Sequence, residues 1–522
     1  MSETRSVAKK LRAWDAGCPL PRYQTIHHAI MPADQCLVAA FVRMAGESRP
    51  WGIAWGQVGT VPVIRSVPDG RVRDDVSELV ADFAEDLLAH LRVHNWTFDP
   101  VQQKAPADEL RQVWLPNGQH VAMLHQLNYT YSQTRHGGAN QEILRALGRV
   151  AGWMFRDSSR TGNQHVVSAS GILDESYVFP AQDARTAHLG FQLAWLTTNG
   201  GRKERSAAAA EAEQLTVSPT MDPSLERDEL SDLVESWQSA RREGADNSTQ
   251  ATSIAEALDK ELRRRWSLTE RAYHVIEADE RPVNAGVAGL IQRSHREFWG
   301  QHQRIELRLS DPSQGPAYIA HPETDHHGSA AASRYLEYAA ADESYFGQLV
   351  HADDALFAEA LEDGRAFEAL VTEVTDAGAG RTTTPRWTLW LDPSVPNRIR
   401  ESGRLRPRGS SGHEVTVIDI EASDDALLLT VEWTERKTKA LTGPVAARPT
   451  DPIWKGARVE FVQSDAAGIT QLRSQRVWSA RNGPGAWLTH GKASAPIEIT
   501  DDDGTSDLVV DDVAQLEDGQ AA

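Results

Sequence analysis

Four acidic side chains in the N-terminal part of the sequence are of the type that holds divalent metal ions. They are Asp99, Asp174, Glu175 and Asp183. Metal-dependent cleavage of a phosphodiester needs several carboxylates converging on the same ions, one of them normally on the first strand of a sheet. The first predicted strand, CLVAAFVRM (36–44), contains no acid. We therefore expect helix caps and solvated turns, and keep as an alternative a metal-dependent nuclease that uses Asp99, Asp174 and Asp183.

The other motifs that carry chemistry are incomplete. HPETDHHG (321–328) gathers histidines and acids, but its spacing fits no zinc motif, so we expect a loop with incidental histidines. TNGGRKERS (198–206) is basic and contains glycine, yet it lacks the spacing of a phosphate loop. SASGIL (168–173) lacks the nucleophile elbow of a serine hydrolase. The sequence thus predicts no catalytic residue, no metal and no cofactor, and favours a protein that is not an enzyme.

Arginines cluster in the C-terminal part of the sequence. Between residues 381 and 410 there are seven arginines against Asp392 and Glu401, with Trp387, Trp433 and Trp478 nearby. Cations bind phosphates and aromatic faces stack on bases, so this composition is suited to a nucleic-acid strand. The alternative is a tryptophan core under a solvated arginine face. The residues predicted to bind nucleic acid are Arg398, Arg400, Arg404, Arg406, Arg408, Arg473 and Arg476.

The elements that must position the N-terminal acids form an α/β domain predicted at residues 1–199. Three short apolar runs between residues 36 and 67 predict a meander of three strands. A helix at 74–92 follows, with Val76, Leu79, Val80, Phe83 and Leu87 in one stripe. A fourth strand at 95–98, helices at 117–132 and 138–157, a fifth strand at 165–169 and a helix at 181–198 complete the order. This succession resembles an RNase H-like fold, which is an analogy of fold and not of activity.

Three further regions follow this domain. Residues 200–362 are predicted to be a mostly helical connector. Alternating apolar residues from Phe367 onward predict five strands of a small antiparallel β-barrel, which with a trailing helix at 466–479 occupies residues 363–495. Residues 496–522 hold nine acids and no Lys or Arg and are expected to be a disordered acidic tail. The predicted fold class is multidomain: an RNase H-like α/β domain, a helical middle and a small antiparallel β-barrel.

The barrel region also resembles a known family. The stretches at 359–391, 412–433 and 456–488, beginning EALEDGRAF, GHEVTVIDI and GARVEFVQS, are similar to the β-barrel that precedes or interrupts the first motor domain of UPF1-like superfamily 1 helicases. In those enzymes the barrel contacts nucleic acid. No phosphate loop follows it here, so the resemblance implies an accessory chain beside a separately encoded helicase or nuclease, as in bacterial antiphage defence or repair.

The overall composition bounds these expectations. The chain of 522 residues has a formal net charge of −20, which argues against nonspecific duplex binding by the whole surface. Its two cysteines, Cys18 and Cys36, allow no disulfide framework and fit a reducing cytoplasm. No signal peptide or long apolar stretch is present, so neither secretion nor membrane association is expected. A protein-interaction scaffold that uses the acidic tail remains a third hypothesis.

Overall fold

A computed structural model describes most of the N-terminal two thirds of the chain and the greater part of the barrel. The described residues are 3–91, 111–159, 163–181, 183–284, 287, 345, 347, 349–351, 353–376, 385–408, 414–423, 425–433 and 456–463. The fold is mixed α/β, with a five-stranded mixed sheet in the N-terminal part and a closed six-stranded antiparallel barrel in the C-terminal part. None of the helices in these ranges is long and apolar enough to cross a bilayer.

The N-terminal sheet has the strand order β4-β3-β2-β5-β6. Its strands are β2 (Cys36–Val42), β3 (Gly52–Gln57), β4 (Val63–Ser66), β5 (Gln112–Leu115) and β6 (Val166–Ser168), while β1 (Leu20–Pro21) pairs separately with β7 (Tyr177–Val178). β2, β3 and β4 form the predicted antiparallel meander. β5 runs parallel to β2, and β6 runs parallel to β5. The carboxyl ends of β2, β5 and β6 therefore lie at one edge of the sheet.

The fourth strand of this sheet, β5, lies in a segment for which the sequence predicted no strand. The segment predicted to form it, residues 95–98, lies outside the described residues, and the strand beside β2 is Gln112–Leu115. This strand is only four residues long and follows a highly charged stretch, so its sequence gave little period-two signal. The residue that follows its end by two positions is Asn117, not an acid.

Helices cover both faces of the sheet, which explains why all seven residues of β2 are buried. One face packs against α2 (Arg73–Leu91), α3 (Gly118–Tyr131) and α4 (Gln141–Ser158), with Leu37, Ala39 and Phe41 of β2 in that core. The other face packs Val38, Ala40 and Val42 against later helices. These are α5 (Ala169–Ser176), α7 (Leu189–Thr197), α8 (Arg202–Glu213), α10 (Ser231–Glu243) and α11 (Ser248–Glu277).

Residues 202–277 are mostly helical. Asp222 caps the short helix α9 (Pro223–Leu225), where it accepts a hydrogen bond from the Ser224 amide, and a π-helical turn (Glu226–Leu230) leads into α10. Residues of α11 share a core with the sheet, so these helices form its second layer. The helix predicted at 181–198 is divided into α6 (Asp183–Thr186) and α7, and Ala187 between them is exposed where it was predicted to be buried.

The C-terminal barrel closes in the strand order β10-β11-β12-β9-β8-β13. Its strands are β8 (Ala366–Asp376), β9 (Pro385–Leu391), β10 (Arg404–Pro407), β11 (Val415–Ala422), β12 (Leu427–Trp433) and β13 (Arg458–Gln463). The five predicted strands are present, and β10 is a sixth that the sequence did not reveal. Irregular pairing between Val371 and Glu373 and between Val417 and Asp419 bends the strands, as closure of so small a barrel requires.

Two helices lie where the sheet domain and the barrel meet. In the pair formed by α1 (Glu3–Ala16) and α12 (Asp354–Glu362), the Lys9 ammonium lies 2.7 Å from the Glu359 carboxylate. The buried Asp353 carboxylate caps α12 and also accepts bonds from Gln24 and Thr25. The start of the barrel is thereby tied to the N-terminal segment.

Candidate nucleic-acid interface

Three of the predicted arginines are engaged with acids of the barrel or of α12. Arg404 and Arg406 extend from β10 to the same carboxylate, that of Glu414, at 2.9 and 3.3 Å. Arg408 pairs with Glu460 at 2.9 Å and with Asp354, and its guanidinium lies 4.4 Å from the centre of the Phe357 ring. These contacts satisfy the positive charges within the protein, so β10 does not present them as a free basic edge.

Arg398 and Arg400 differ from these three. Both side chains are exposed in the loop that joins β9 to β10, and no acidic side chain of the described residues forms an ion pair with either. The backbone nevertheless holds the loop in place, because the Arg398 amide donates to the Gly364 carbonyl and the Gly403 amide donates to the Arg400 carbonyl. Arg398 and Arg400 are therefore the predicted arginines best placed to contact a ligand. The other two, Arg473 and Arg476, lie outside the described residues.

The tryptophan expected to stack on bases is not Trp387. That side chain is buried in the barrel core with Leu389 and Leu391, while the side chain of Trp433 and all of Trp478 lie outside the described residues. Among the described side chains of the barrel, the exposed tryptophan is Trp390, which is 37% exposed. Because alternate residues of a strand face opposite sides, the inward positions 387, 389 and 391 require residue 390 to face outward. The alternation in the sequence therefore contained the signal for Trp390.

Trp390 lies in a row of side chains across the outer face of the barrel. Leu370 of β8 and Leu428 of β12 are directly opposite it, and Arg458 of β13 is opposite Leu370. Side chains opposite each other on neighbouring strands lie about 5 Å apart. We call Arg458, Leu370, Trp390 and Leu428 the Trp390 row. It joins an aromatic face and a guanidinium on a surface that is otherwise half-buried aliphatic.

The loop with Arg398 and Arg400 lies at the same end of the barrel as Trp390. The loop begins at Asp392, two residues after Trp390, and its backbone is bonded to Gly364 at the start of β8. The rest of the outer face is mixed in charge, because Glu368 lies opposite Glu460 on neighbouring strands and Arg386 pairs with Glu432. The barrel is thus not basic all round, and among its described residues the arginines without an acidic partner lie at this end.

The acids of the sheet domain are not brought together by the described structure. Asp99 and the side chain of Asp183 lie outside the described residues. Asp174 lies in α5, where its carbonyl accepts a bond from Arg22 and its carboxylate lies 3.7 Å from the Arg22 guanidinium. Within the described ranges no three His, Cys, Asp or Glu side chains are grouped to hold a metal ion.

An extended segment of the chain, residues 215–221, crosses the carboxyl edge of the sheet. Such edges of open α/β sheets are where ligands usually bind. Here the Val217 carbonyl accepts bonds from Asn117 and His120 after β5, and Arg43 after β2 exchanges backbone bonds with Pro219 and Met221. We call residues 215–221 the edge segment.

Side chains from the surrounding helices complete the hold on the edge segment. Its carbonyls at 215, 216 and 218 accept hydrogen bonds from His188, Arg264 and Arg265, respectively. His120 also accepts a bond from the Phe41 amide at Nδ1, so its Nε2 carries the proton that it donates to Val217. Burial, reinforced by the nearby Arg265 charge, lowers the pKa of His120 to about 3. The carboxyl edge is therefore occupied by the chain itself, and side chains of the surrounding helices donate hydrogen bonds to the carbonyls of the edge segment.

The remaining motifs have structural roles where they are described. Ser168 caps α5 by accepting a bond from the Gly171 amide. Arg205 donates to the carbonyls of Gly200 and Trp195 at the start of α8. The histidine-rich loop at 321–328 lies outside the described residues.

Comparisons with known proteins do not add to this geometry. No protein family, curated protein or solved structure matches the chain. The functional assignment therefore depends on the side chains described above.

Proposed function

We propose that the protein is a non-enzymatic, nucleic-acid-associated accessory protein whose barrel holds a single strand against Trp390. The observation that carries the proposal is the exposed Trp390 row beside the two loop arginines, Arg398 and Arg400, that no described acid compensates. An aromatic face next to guanidinium groups supplies base stacking and phosphate contact together. The proposed partner is a separately encoded helicase or nuclease, in bacterial antiphage defence or repair, as the resemblance to the UPF1-like barrel implies.

The sheet domain supports an RNase H-like interpretation of the fold. Three antiparallel strands come first in the chain, and two later strands run parallel to the first of them, in the order β4-β3-β2-β5-β6. Two features favour a domain without catalysis. β2 has no acid among its seven buried residues, and the edge segment fills the carboxyl edge where a substrate would bind.

The proposal is tested by measuring binding to labelled single-stranded DNA and RNA across a salt series. Trp390→Ala should weaken binding about 5- to 150-fold, because base stacking on an aromatic side chain contributes about 1–3 kcal/mol. The double variant Arg398→Gln/Arg400→Gln should also weaken binding. It should reduce the slope of log K against log salt by about 0.7 for each phosphate contact that is lost.

The matched control is the double variant Arg386→Gln/Arg404→Gln. It removes the same two charges from the barrel, but both arginines are paired, with Glu432 and Glu414. Binding should fall less than in Arg398→Gln/Arg400→Gln. Equal losses of binding affinity in the two double variants would mean that only the net charge of the barrel matters, and would refute a specific role of Arg398 and Arg400. Cleavage of the strand that depends on Mg²⁺ and is lost in Asp174→Asn would instead support the nuclease hypothesis.

A further inference from the structure

The N-terminal helix α1 exposes an apolar stripe. Val7, Leu11 and Trp14 follow the i, i+4, i+7 spacing of one helix face and are 54%, 57% and 44% exposed. The opposite side of the helix packs, since Ala13 is buried and Lys9 pairs with Glu359 of α12. We call Val7, Leu11 and Trp14 the α1 stripe. Nothing in the described chain covers it fully.

Positive charges border the α1 stripe. Lys10 and Arg12 lie on α1 itself, and Arg202, the first residue of α8, lies beside its C-terminal end and is followed in the sequence by Lys203. The Arg202 guanidinium is 4.8 Å from the centre of the Trp14 ring. An apolar stripe bordered by cations is matched by a segment that alternates apolar residues with acids.

The acidic tail of the same chain has this composition. Val509, Val513 and Leu516 have the same i, i+4, i+7 spacing as the α1 stripe. Asp507, Asp511, Asp512, Glu517 and Asp518 surround them, and residues 496–522 contain no Lys or Arg. The tail segment 507–518 can thus present an apolar face and negative charges at once.

The chain leaves its last described strand close to α1. The Gln463 amide at the end of β13 donates to the Arg365 carbonyl, and Arg365 follows Glu359, the partner of Lys9, by six positions. Six residues span at most about 20 Å. Asp507 follows Gln463 by 44 positions, and 44 residues can span up to about 150 Å. The tail therefore reaches the α1 stripe without any rearrangement of the fold.

We propose that residues 507–518 dock on the α1 stripe of the same chain. Val509, Val513 and Leu516 cover Val7, Leu11 and Trp14, and the acids of the tail lie against Lys10, Arg12, Arg202 and Lys203. A second copy of α1 is a poorer occupant, because its own cations would face these four. This inference is independent of the proposed function, since it involves neither the Trp390 row nor the loop arginines.

The test measures the distance between α1 and the tail in the full-length chain. Spin labels are attached to cysteines introduced by Ala8→Cys and Ser506→Cys, with Cys18 replaced by serine and the buried Cys36 retained. Docking predicts a narrow distance distribution on the order of one helix length, about 20 Å for α1. Leu11→Asp should convert it to a broad distribution centred near about 35 Å.

The matched control is Val61→Asp, which introduces the same charge at an exposed valine between β3 and β4. It should leave the distribution narrow. A broad distribution in the parent chain, or a narrow one that survives Leu11→Asp, would overturn the proposal. A dipolar signal between chains that each carry only one label would assign the stripe to a second copy instead.

Discussion

A single buried carboxylate connects the two halves of the molecule. Asp353 accepts hydrogen bonds from the Gln24 amide and from the amide and hydroxyl of Thr25 through Oδ2, at 2.8–3.0 Å. Through Oδ1 it caps α12, accepting from the Ala355 and Leu356 amides. Each carboxylate oxygen offers about two lone pairs, so the two donors at Oδ1 are matched while the three donors at Oδ2 share that oxygen. The same residue therefore positions the N-terminal segment and the helix that leads into the barrel.

Asp353→Asn should loosen this connection. The amide nitrogen cannot accept a hydrogen bond, so donors at one of the two positions lose their partner, at a cost of about 1–3 kcal/mol for each buried group. If the asparagine nitrogen takes the place of Oδ2, hydrogen exchange should be faster at the Gln24 and Thr25 amides. If it takes the place of Oδ1, exchange should be faster at the Ala355 and Leu356 amides. A combined loss of about 2–3 kcal/mol in opening free energy is expected.

Asp392→Asn is the matched control for that substitution. Asp392 also accepts bonds from an amide and a hydroxyl, both of Ser394, but it is exposed, so water replaces any bond that is lost. Hydrogen exchange of the barrel amides should therefore change little in Asp392→Asn. If Asp353→Asn were equally silent at all four amides, Asp353 would not be the connection between the two halves.

The residues of the candidate interface were predictable only in part. The sequence shows which residues alternate along a strand, but not which strands pair with each other. The period-two pattern of β9 placed Trp387, Leu389 and Leu391 inward and left Trp390 outward. The same pattern says nothing of the acid that each arginine meets. Arg404 and Arg406 meet Glu414 only because β10 and β11 are neighbours, and β10 is a four-residue strand.

At the scale of elements, sequence patterns predicted long elements better than short ones. The apolar stripe of α2 and the apolar runs of β2 to β4 span enough residues for the spacing of their apolar side chains to identify a helix and strands. β5 and β10 are four residues each, and in β10 arginine occupies the outward positions and proline ends the strand. Such strands are fixed by the neighbours they pair with, which the local sequence does not encode.

The packing of α3 against α4 depends on two small residues of α4. A Cβ atom added at Gly148 would lie 2.3 Å from the backbone nitrogen of Ser132. One added at Gly152 would lie 2.4 Å from the side-chain nitrogen Nδ2 of Asn128. Asn128 also donates to the Gly148 carbonyl at 2.8 Å. The glycines let the two helices approach closely enough for this buried bond to form.

Gly148→Ala should therefore destabilise the sheet domain. Alanine gains about 1 kcal/mol in helix propensity, but the clash involves backbone, and overpacking of this kind costs about 1–3 kcal/mol. The Asn128 bond should also be lost, so the thermal midpoint of the domain should fall. Gly118→Ala, at the start of α3 where an added Cβ meets nothing within 4 Å, is the control and should leave the midpoint unchanged or slightly raised. A rise of the thermal midpoint in Gly148→Ala as well would contradict the close approach of α3 and α4 at Gly148.

At the scale of the whole molecule, burial keeps several histidines neutral. Burial lowers the pKa of His90 to about 4, of His120 to about 3 and of His351 to about 4, with nearby arginines acting in the same direction. In the unfolded chain each would take up a proton near pH 6.5. Between about pH 6.5 and 4 the unfolded state therefore binds more protons than the native state.

The free energy of unfolding should consequently fall as the pH is lowered through this window. The slope expected from each neutral histidine is about 1.4 kcal/mol per pH unit, and stability should be nearly independent of these groups above about pH 7. His120→Gln removes one such group. Whatever its effect on stability at pH 7, it should reduce the slope between pH 6 and 4.5 by about 1.4 kcal/mol per unit.

Denaturant unfolding at a series of pH values measures this slope, and His125→Gln provides a control on the same helix. His125 is exposed on α3, so this variant controls for the effect of a histidine-to-glutamine change on the helix itself. A slope in His120→Gln equal to the parent's would mean that His120 takes up its proton in the folded protein. The charged imidazole would then point an N–H at the Phe41 amide, which is incompatible with the bonds that hold the edge segment in place. The pH dependence therefore tests whether the carboxyl edge of the sheet is closed in solution.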